Sequence, residues 1–420
     1  MNRRVLAQLS FGHLATDLSQ GALPALLPLF KTQYHLSYTD VGLVVLVANI
    51  SSSIIQPAFG ILSDRVQMRW LMPAGALISG TGVILAVSAT HYSVMMAMIF
   101  LSGLGVAAFH PEGYKFAGLA SGERRATGMS YFSVGGNLGY GLGPAAASIA
   151  LHFAGPRGIF YYVPFFSVAA AVVLWLVGSP GRRAQLESEW HAPAPAAARP
   201  AAGPVPVAPL GGLTAHTMLS LLVAFVVVRS WVGVGEASFI PLYFTGVRHL
   251  NPTYAGLMVS LFLGAGSIGT LVGGAAADRW GRRNMLIVSM LILPPLLWLI
   301  PRAVGPAGLI AALIAGMASV STFAVVMVMA QSVMPRRIGL ISGLIIGFAV
   351  GTGGIGTTLL GVIADRWGVL RALDFTALLP LAALAIALLL PHDPPGARNL
   401  RVESTRTSMS AVHADVAGGQ

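Results

Sequence analysis

The sequence predicts an all-α membrane protein in which twelve transmembrane helices form two pseudo-symmetric bundles of six. Of its 420 residues, 55% are hydrophobic and only 9% are charged, whereas soluble domains carry about 25% charged residues. Twelve apolar runs can be identified along the chain, each near the length of about 20 residues that spans a hydrocarbon core. Basic loops between these runs recur at offsets of 214 and 212 residues, which indicates a duplication.

The basic residues are distributed unevenly about the predicted spans. If the N-terminus is cytoplasmic, 18 of the 25 Lys and Arg residues fall in inside segments, six fall in outside segments, and Arg229 falls within a span. This bias follows the positive-inside rule. The net charge of +11 is therefore interpreted as topology and not as nucleic-acid binding, and both termini are expected in the cytoplasm. The chain has no cysteine, which excludes disulfides and thiolate metal sites.

The elements follow one another in two similar series. The first six helices are predicted at residues 6–30, 40–62, 71–89, 93–119, 127–153 and 159–177. The last six are predicted at residues 215–244, 253–276, 285–304, 307–333, 338–364 and 373–391. The predicted domains are an N-terminal bundle (1–178), a flexible Ala/Pro-rich cytoplasmic linker (179–213), a C-terminal bundle (214–391) and a disordered cytoplasmic tail (392–420).

A basic loop occupies the same place in both halves. Residues 274–283 read GAAADRWGRR, and residues 60–69, which lie 214 positions earlier, read GILSDRVQMR. One interpretation is a charge-paired latch that breaks and re-forms during alternating access; the other is a loop that only fixes orientation. The candidate gating residues are Asp64, Arg65, Asp278, Arg279, Arg282 and Arg283. Two repeated six-helix halves joined by a linker are typical of major facilitator transporters.

Ionisable side chains inside predicted helices are the strongest functional candidates, because a charge at the centre of a bilayer costs about 2.5–3.5 kcal/mol. Asp17 lies near the middle of helix 1, and His13 lies one turn earlier on the same face. His110 and Glu112 flank Pro111 in helix 4, where proline breaks or kinks the helix. These four residues are candidates for proton coupling. The alternative is buried polar groups that only join helices, and no metal site is expected.

Arg229 lies midway along helix 7, the repeat counterpart of helix 1. Because a guanidinium does not deprotonate at this depth, it requires a carboxylate or an anionic ligand. Asp17, Glu112 and Glu236 are the possible partners. Arg229 and Glu236, together with Gln20 and Asn137, are therefore candidates for substrate binding or charge balance.

Helix 5 carries the small-residue run GGNLGYGLGP at residues 135–144. Gly135, Gly139 and Gly143 are spaced four apart, which allows close approach of another helix. With Pro144, the run is similar to the antiporter signature in the fifth helix of drug/proton exchangers. A simple packing face is the alternative interpretation.

The chain resembles the fosmidomycin-resistance branch of the major facilitator superfamily. The residues that carry the resemblance are Ser10 to His13, Asp17, Ser19, Gln20, Ser52, Ser53, Gln56, Pro57, Asp64, Met68, Trp70, Pro73, Phe109 to Glu112, and the helix-5 run from Phe132 to Pro144. The resemblance implies drug export in exchange for protons across a bacterial inner membrane, with helices 1, 4, 7 and 10 lining a central cavity.

The expected function is proton-coupled export of a small, fosmidomycin-type compound by alternating access. The alternative on the same fold is an uptake symporter for an organic acid or another small solute. An enzyme is not expected, because no nucleophile–base pair, metal-ligand set or phosphate loop is present, and no signalling domain supports a sensor. The expected partners are a small-molecule substrate, protons and the lipid bilayer, with no cofactor and no nucleic acid, and the protein is expected to be a monomer.

Overall fold

The computed structural model describes residues 1–65, 70–122, 124–178, 212–334 and 338–392. The first-half helices are α1 (Arg3–Gln33), α2 (Tyr38–Asn49), α3 (Gln56–Arg65), α4 (Leu71–Ser88), α5 (Tyr92–Ser121), α6 (Arg125–Ala154) and α7 (Tyr162–Gly178). The second-half helices are α8 (Ala215–Gly246), α9 (Pro252–Trp280), α10 (Arg282–Leu299), α11 (Pro306–Val333), α12 (Ile338–Gly351), α13 (Gly353–Trp367) and α14 (Val369–Leu389). Most of the predicted linker (residues 179–211) and of the tail (residues 393–420) lies outside the described residues.

These helices make twelve passes, because α2 with α3, and α12 with α13, each form one broken pass. Ten segments of the described chain are long and apolar enough to cross a membrane, and one of them, Thr127–Val173, has 47 residues and contains α6 together with most of α7. The twelfth pass is α1, which is not among the ten because it carries the polar side chains that were singled out as functional candidates. The predicted fold class is confirmed.

Two passes that were predicted to be continuous helices are broken. Between α2 and α3 the chain makes a π-helical turn, Ile50–Ile54. Ser51 Oγ donates to the carbonyls of Val47 and Ala48 there, and the following Pro57 has no amide hydrogen to continue the ladder. Between α12 and α13 the break falls at Thr352, which is flanked by glycines on both sides. Ile54 lies against Gly351, so the two breaks are adjacent in space.

The duplication is visible in the backbone. His35 and His249, which are 214 positions apart, adopt φ values of +53° and +54° at equivalent turns. Each is followed two residues later by a helix N-cap, Ser37 before α2 and Asn251 before α9. Non-glycine residues rarely adopt positive φ, so a matched pair at the repeat offset supports the pseudo-symmetry.

The two halves meet tightly at the end of the bundle that the charge bias predicts to be outside, hereafter the outer end. There α2 packs against α13, and α6 packs against α9. The Ala145 amide, which follows Pro144 in α6, donates a 2.8 Å hydrogen bond to Ser260 Oγ of α9. Tyr38 of α2 also lies beside Phe239 of α8, with ring centroids 6.5 Å apart.

A carboxylate adds to this closure. Asp365, near the end of α13, accepts hydrogen bonds from the backbone amides of Tyr38 (2.7 Å) and Thr39 (2.9 Å) and from Thr39 Oγ1 (2.6 Å). These amides form the first turn of α2, where backbone N–H groups have no partner within the helix and the helix dipole favours a negative charge. Asp365 thus links the second half to the start of a first-half helix.

Candidate functional site

The site begins with three ionisable side chains from α1 and α5. His13 and Asp17 are four residues apart in α1, so both point from one face, and α5 brings His110 opposite them. The distance from Asp17 Oδ2 to His13 Nε2 is 3.2 Å, and that from Asp17 Oδ1 to His110 Nε2 is 3.4 Å. The two Nε2 atoms are 3.3 Å apart. Hereafter these three residues are the His–Asp–His cluster.

Backbone carbonyls fix the tautomer of each imidazole. His13 Nδ1 lies 2.9 Å from the Phe132 carbonyl oxygen, and His110 Nδ1 lies 2.8 Å from the Val106 carbonyl oxygen. A carbonyl oxygen only accepts hydrogen bonds, so both Nδ1 atoms must carry hydrogen and donate. In a neutral imidazole the other nitrogen, Nε2, is then a bare acceptor.

Three acceptors therefore face one another in the His–Asp–His cluster: two bare Nε2 atoms and an ionised carboxylate. Without a positive charge between them these lone pairs repel, and burial strengthens the repulsion. His13 is only 3% exposed, while Asp17 and His110 are 14% and 13% exposed. The repulsion is relieved when at least one proton enters the cluster, because a protonated Nε2 can donate a hydrogen bond to the carboxylate.

Aromatic rings and a glycine hold the cluster in place. The His13 ring stacks on Phe132 with centroids 4.2 Å apart and on Phe109 at 5.9 Å. Gly136 of α6 lies directly against the cluster: a Cβ at this position would collide with the His13 ring and come within 2.7 Å of Asp17 Oδ2. Only glycine lets α6 approach here without displacing the ionisable groups.

The other small residues of the helix-5 run, which lies in α6, make two kinds of contact. A Cβ at Gly135 or Gly139 would strike the carbonyl oxygen of Ser10 or Leu14, and one at Gly143 would strike the α1 backbone near Gly21. These glycines therefore seat α6 on α1. Pro144 precedes the Ala145 amide that bonds Ser260 across the two halves. The run thus connects the His–Asp–His cluster to the outer closure.

Other candidates from the sequence do not join this cluster. Glu112 is buried at 6% exposure, but the contacts between the ionisable groups of the cluster join His13, Asp17 and His110 and do not include Glu112. Gln20 donates instead to Ser52 Oγ of the π-turn at 3.2 Å. Asn137 is exposed. Proximity along helix 4 thus does not bring Glu112 to the site.

Arg229 and Glu236 lie in α8, on one helix face two turns apart. The Arg229 guanidinium lies 5.3 Å from the centre of the Phe323 ring of α11, and its Nε is buried without a hydrogen-bond partner. Both carboxyl oxygens of Glu236 are buried without a partner, and the residue is 0% exposed. Within the described chain, therefore, the two side chains do not pair with each other. Nor does Arg229 pair with Asp17, which the two histidines hold.

The predicted gating loops are only partly described. The side chains of Asp64 and Arg65 lie outside the described set. Asp278 and Arg282 both make interactions, and Arg279 is exposed. Arg283 contacts His392 Nε2 at 2.5 Å and donates to the Leu388 carbonyl at 2.7 Å, so it binds the end of α14. Whether these residues form a latch remains a prediction.

Asp365 is a residue that sequence reasoning missed. The pentapeptide ADRWG occurs at residues 277–281 and again at residues 364–368. In both copies the final glycine, Gly281 or Gly368, adopts positive φ and its amide bonds the carbonyl of the alanine. The repeat was the available signal: the second copy places an acid at the opposite end of the bundle, where it caps α2.

The same three residues also form a possible metal-ligand group. One ligand atom from each of His13, Asp17 and His110 lies within 4.8 Å of the others. No metal site was predicted from the sequence, because no third or fourth ligand lies near His110 and Glu112 along the chain. The structure supplies two from α1, because helix packing unites residues that are about 95 positions apart in the chain.

Comparisons with known proteins agree with this architecture. A family model described as Major Facilitator Superfamily matches residues 9–345 and 233–413. The chain is 30% identical over 389 residues to the Fosmidomycin resistance protein of Escherichia coli (strain K12), covering 93% of each chain. It is also 30% identical over 395 residues to the Uncharacterized MFS-type transporter YfnC of Bacillus subtilis (strain 168), again covering 93% of each.

Solved structures show the same fold at lower identity. A bacterial homolog of the human lysosomal transporter Spinster gives a TM-score of 0.68 with 14% identity, covering 92% of this chain and 96% of that one. A mutant of the nucleoside transporter NupG gives 0.69 with 12% identity, covering 91% and 99%. The chain belongs to the Major Facilitator Superfamily. It is accordingly a multi-pass membrane transporter of small molecules and not an enzyme.

Proposed function

We propose that the protein is a proton-coupled exporter of a small, fosmidomycin-type compound in a bacterial inner membrane, with both termini cytoplasmic. The observation that carries the proposal is the His–Asp–His cluster, in which two carbonyl-anchored imidazoles direct bare Nε2 atoms at one carboxylate. The E. coli relative, named as a fosmidomycin resistance protein, supports export of such a compound.

The cluster suits proton exchange because its preferred geometry depends on its proton count. With a proton on one Nε2, the imidazolium and the carboxylate attract each other and hold α1 to α5. When the proton leaves, three acceptors remain within 3.4 Å of one another, and the same groups repel. Proton binding is thereby linked to the relative positions of two helices in the first half. Asp17 is the central member because its oxygens face both histidines.

In the alternating-access scheme, the two bundles, residues 1–178 and 214–391, are the two bodies that move relative to each other. The described conformation is closed at the outer end by Asp365, Ser260 and the Tyr38–Phe239 contact. In this scheme those contacts break once per cycle, and the predicted inner loops with Asp64 and Asp278 close in exchange. The runner-up is proton-coupled uptake on the same fold, which uses the same cluster but moves solute and proton in one direction.

Proteoliposomes with an imposed pH gradient and labelled fosmidomycin test the coupling. We expect gradient-driven accumulation by the wild type and its loss in Asp17→Asn, while fosmidomycin exchange between the two sides at equal pH persists in the variant. Retained exchange shows that Asp17→Asn is folded and still binds solute. Asp374→Asn is the matched control, since this acid pairs with Arg302 at 2.6 Å outside the cluster. Undiminished gradient-driven accumulation in Asp17→Asn would remove the coupling assignment.

A further inference from the structure

Unpartnered polar atoms concentrate on one segment of α8. Among the described residues, twelve buried side-chain nitrogen or oxygen atoms make no hydrogen bond, and two of these, Asp17 Oδ1 and Asp374 Oδ1, are in ion pairs. Five of the other ten belong to residues 229–236: Arg229 Nε, Ser230 Oγ, Trp231 Nε1 and both carboxyl oxygens of Glu236. Buried polar groups in native proteins are normally satisfied, and exceptions point to a missing ligand or a functional role. Ser230 and Trp231 lie against Gly353 and Gly356 of α13, whereas Arg229 and Glu236 share another face of α8.

Arg229 lies in the second half close to the place that Asp17 occupies in the first. The offset of 214 residues that relates His35 to His249 pairs Arg229 with Ala15, which lies between His13 and Asp17 in α1. Pseudo-symmetry accordingly places Arg229 at the depth of the His–Asp–His cluster. Gly233, one turn further along the Arg229 face, has open space where a side chain would stand. Open space therefore lies one helical turn from Arg229.

The charge of Arg229 is not compensated within the described chain. The ion pairs of Asp17 and of Asp374 do not include Arg229. Glu236 lies on the same face, but neither of its oxygens has a partner. An unpaired buried charge is costly. Stacking over the Phe323 ring leaves the edges of the guanidinium, which carry its N–H donors, free to bind two oxygens of an anion.

We propose that Arg229 is the anion-binding residue of the transport site and that the transported solute presents to it an oxyanion, a phosphonate, phosphate or carboxylate group. The inference rests on the proposed function for the existence of a transported solute. It differs from that function in its content: Arg229 selects solutes by charge, whether or not protons drive their movement. The positive site in the second half then complements the proton-binding site in the first.

Thermal unfolding of the purified full-length protein with simple anions tests Arg229 separately from proton coupling. The probes are fosmidomycin, methylphosphonate, inorganic phosphate and acetate, with the uncharged dimethyl ester of methylphosphonate as the matched neutral compound. We expect at least one of the anions, and not the ester, to raise the Tm of the wild type. Arg229→Gln should lose that rise, and Arg229→Lys should keep part of it, because lysine retains the charge without the two-pronged geometry.

The unliganded variants distinguish binding from a structural role. Because Arg229 has no ion-pair partner to lose within the described chain, Arg229→Gln should lose only the Phe323 contact and unfold near the wild-type temperature, whereas breaking a buried ion pair would lower it strongly. Arg248→Gln, at an exposed position after α8, is the control and should behave like the wild type. If no anion raises the wild-type Tm, or if Arg229→Gln responds as the wild type does, the assignment is wrong. If anions bind in an Arg229-dependent manner but a pH gradient drives no flux, the proposed proton coupling is rejected and the role of Arg229 stands.

Discussion

Replacing Asp365 with alanine should shift the protein toward conformations that are open at the outer end. The carboxylate accepts three hydrogen bonds from the first turn of α2, at 2.7, 2.9 and 2.6 Å, and it joins the two halves. Loss of such a helix cap costs about 0.5–2 kcal/mol. The exposure of Asp365 keeps the estimate within that range, since solvent screens the charge.

The magnitude follows from this free energy. The upper part of this range, about 1–2 kcal/mol, alters a two-state ratio about 5- to 30-fold. An outer-open population of about 1%, within the usual range for a minor state, would therefore rise to about 5–25% in Asp365→Ala. Because the natural chain has no cysteine, spin labels can be placed uniquely after Thr90→Cys and Val304→Cys, two exposed positions in outer loops of opposite halves.

Pulsed electron–electron resonance between these labels measures the populations directly. The longer-distance fraction should grow in Asp365→Ala. It should not grow in Asp374→Ala, whose ion pairs with Arg302 and Arg371 stay within the second half. An unchanged distance distribution in Asp365→Ala, or an equal change in both variants, would refute the view that Asp365 holds the outer end closed.

Two further predictions concern the contacts of α6 with α1 and with α9. Gly136→Ala should lower stability by about 1–3 kcal/mol through overpacking and abolish pH-driven transport, because the added methyl group strikes His13 and Asp17. Gly246→Ala, at the end of α8, meets open space and should leave thermal stability and transport near wild type. Ser260→Ala should raise the outer-open fraction in the same spin-label experiment, because it leaves the Ala145 amide unpaired. The expected free-energy change is that of one hydrogen bond, about 0.5–1.5 kcal/mol. A normal pH-driven flux in Gly136→Ala, or an unchanged distance distribution in Ser260→Ala, would contradict these expectations.

Much of the fold could be predicted because a membrane imposes strong constraints. Apolar runs of defined length must be helices, and the charge bias orders them. The breaks at Ile50–Ile54 and Thr352 were harder to predict, because a π-turn or a glycine-flanked kink depends on how serines and glycines meet neighbouring helices. The sequence marks such residues, but it does not reveal whether the helix continues through them.

The sequence could suggest which residues belong to the candidate site, but not which of them contact one another. His13 and Asp17 follow from helical spacing, whereas the contact with His110 depends on the rotation of α5 against α1. That rotation is set by packing, and it also turns Glu112 away from the cluster. The absence of a described partner for Arg229 was equally hidden, since the sequence offers three acids and the structure pairs none of them with it. To identify Asp365 from the sequence, one would have to compare the two ADRWG motifs, which lie at opposite ends of the bundle.

Proton movement driven by the solute gradient tests the central claim most directly. Vesicles containing the purified protein would be loaded with fosmidomycin and a trapped pH indicator and then diluted into solute-free buffer of equal pH. Exchange of solute for protons predicts that the lumen acidifies as solute leaves, that a protonophore abolishes the signal, and that Asp17→Asn gives none. A lumen that becomes alkaline would show movement of proton and solute in the same direction, and solute loss without any pH change would show that transport is not coupled to protons.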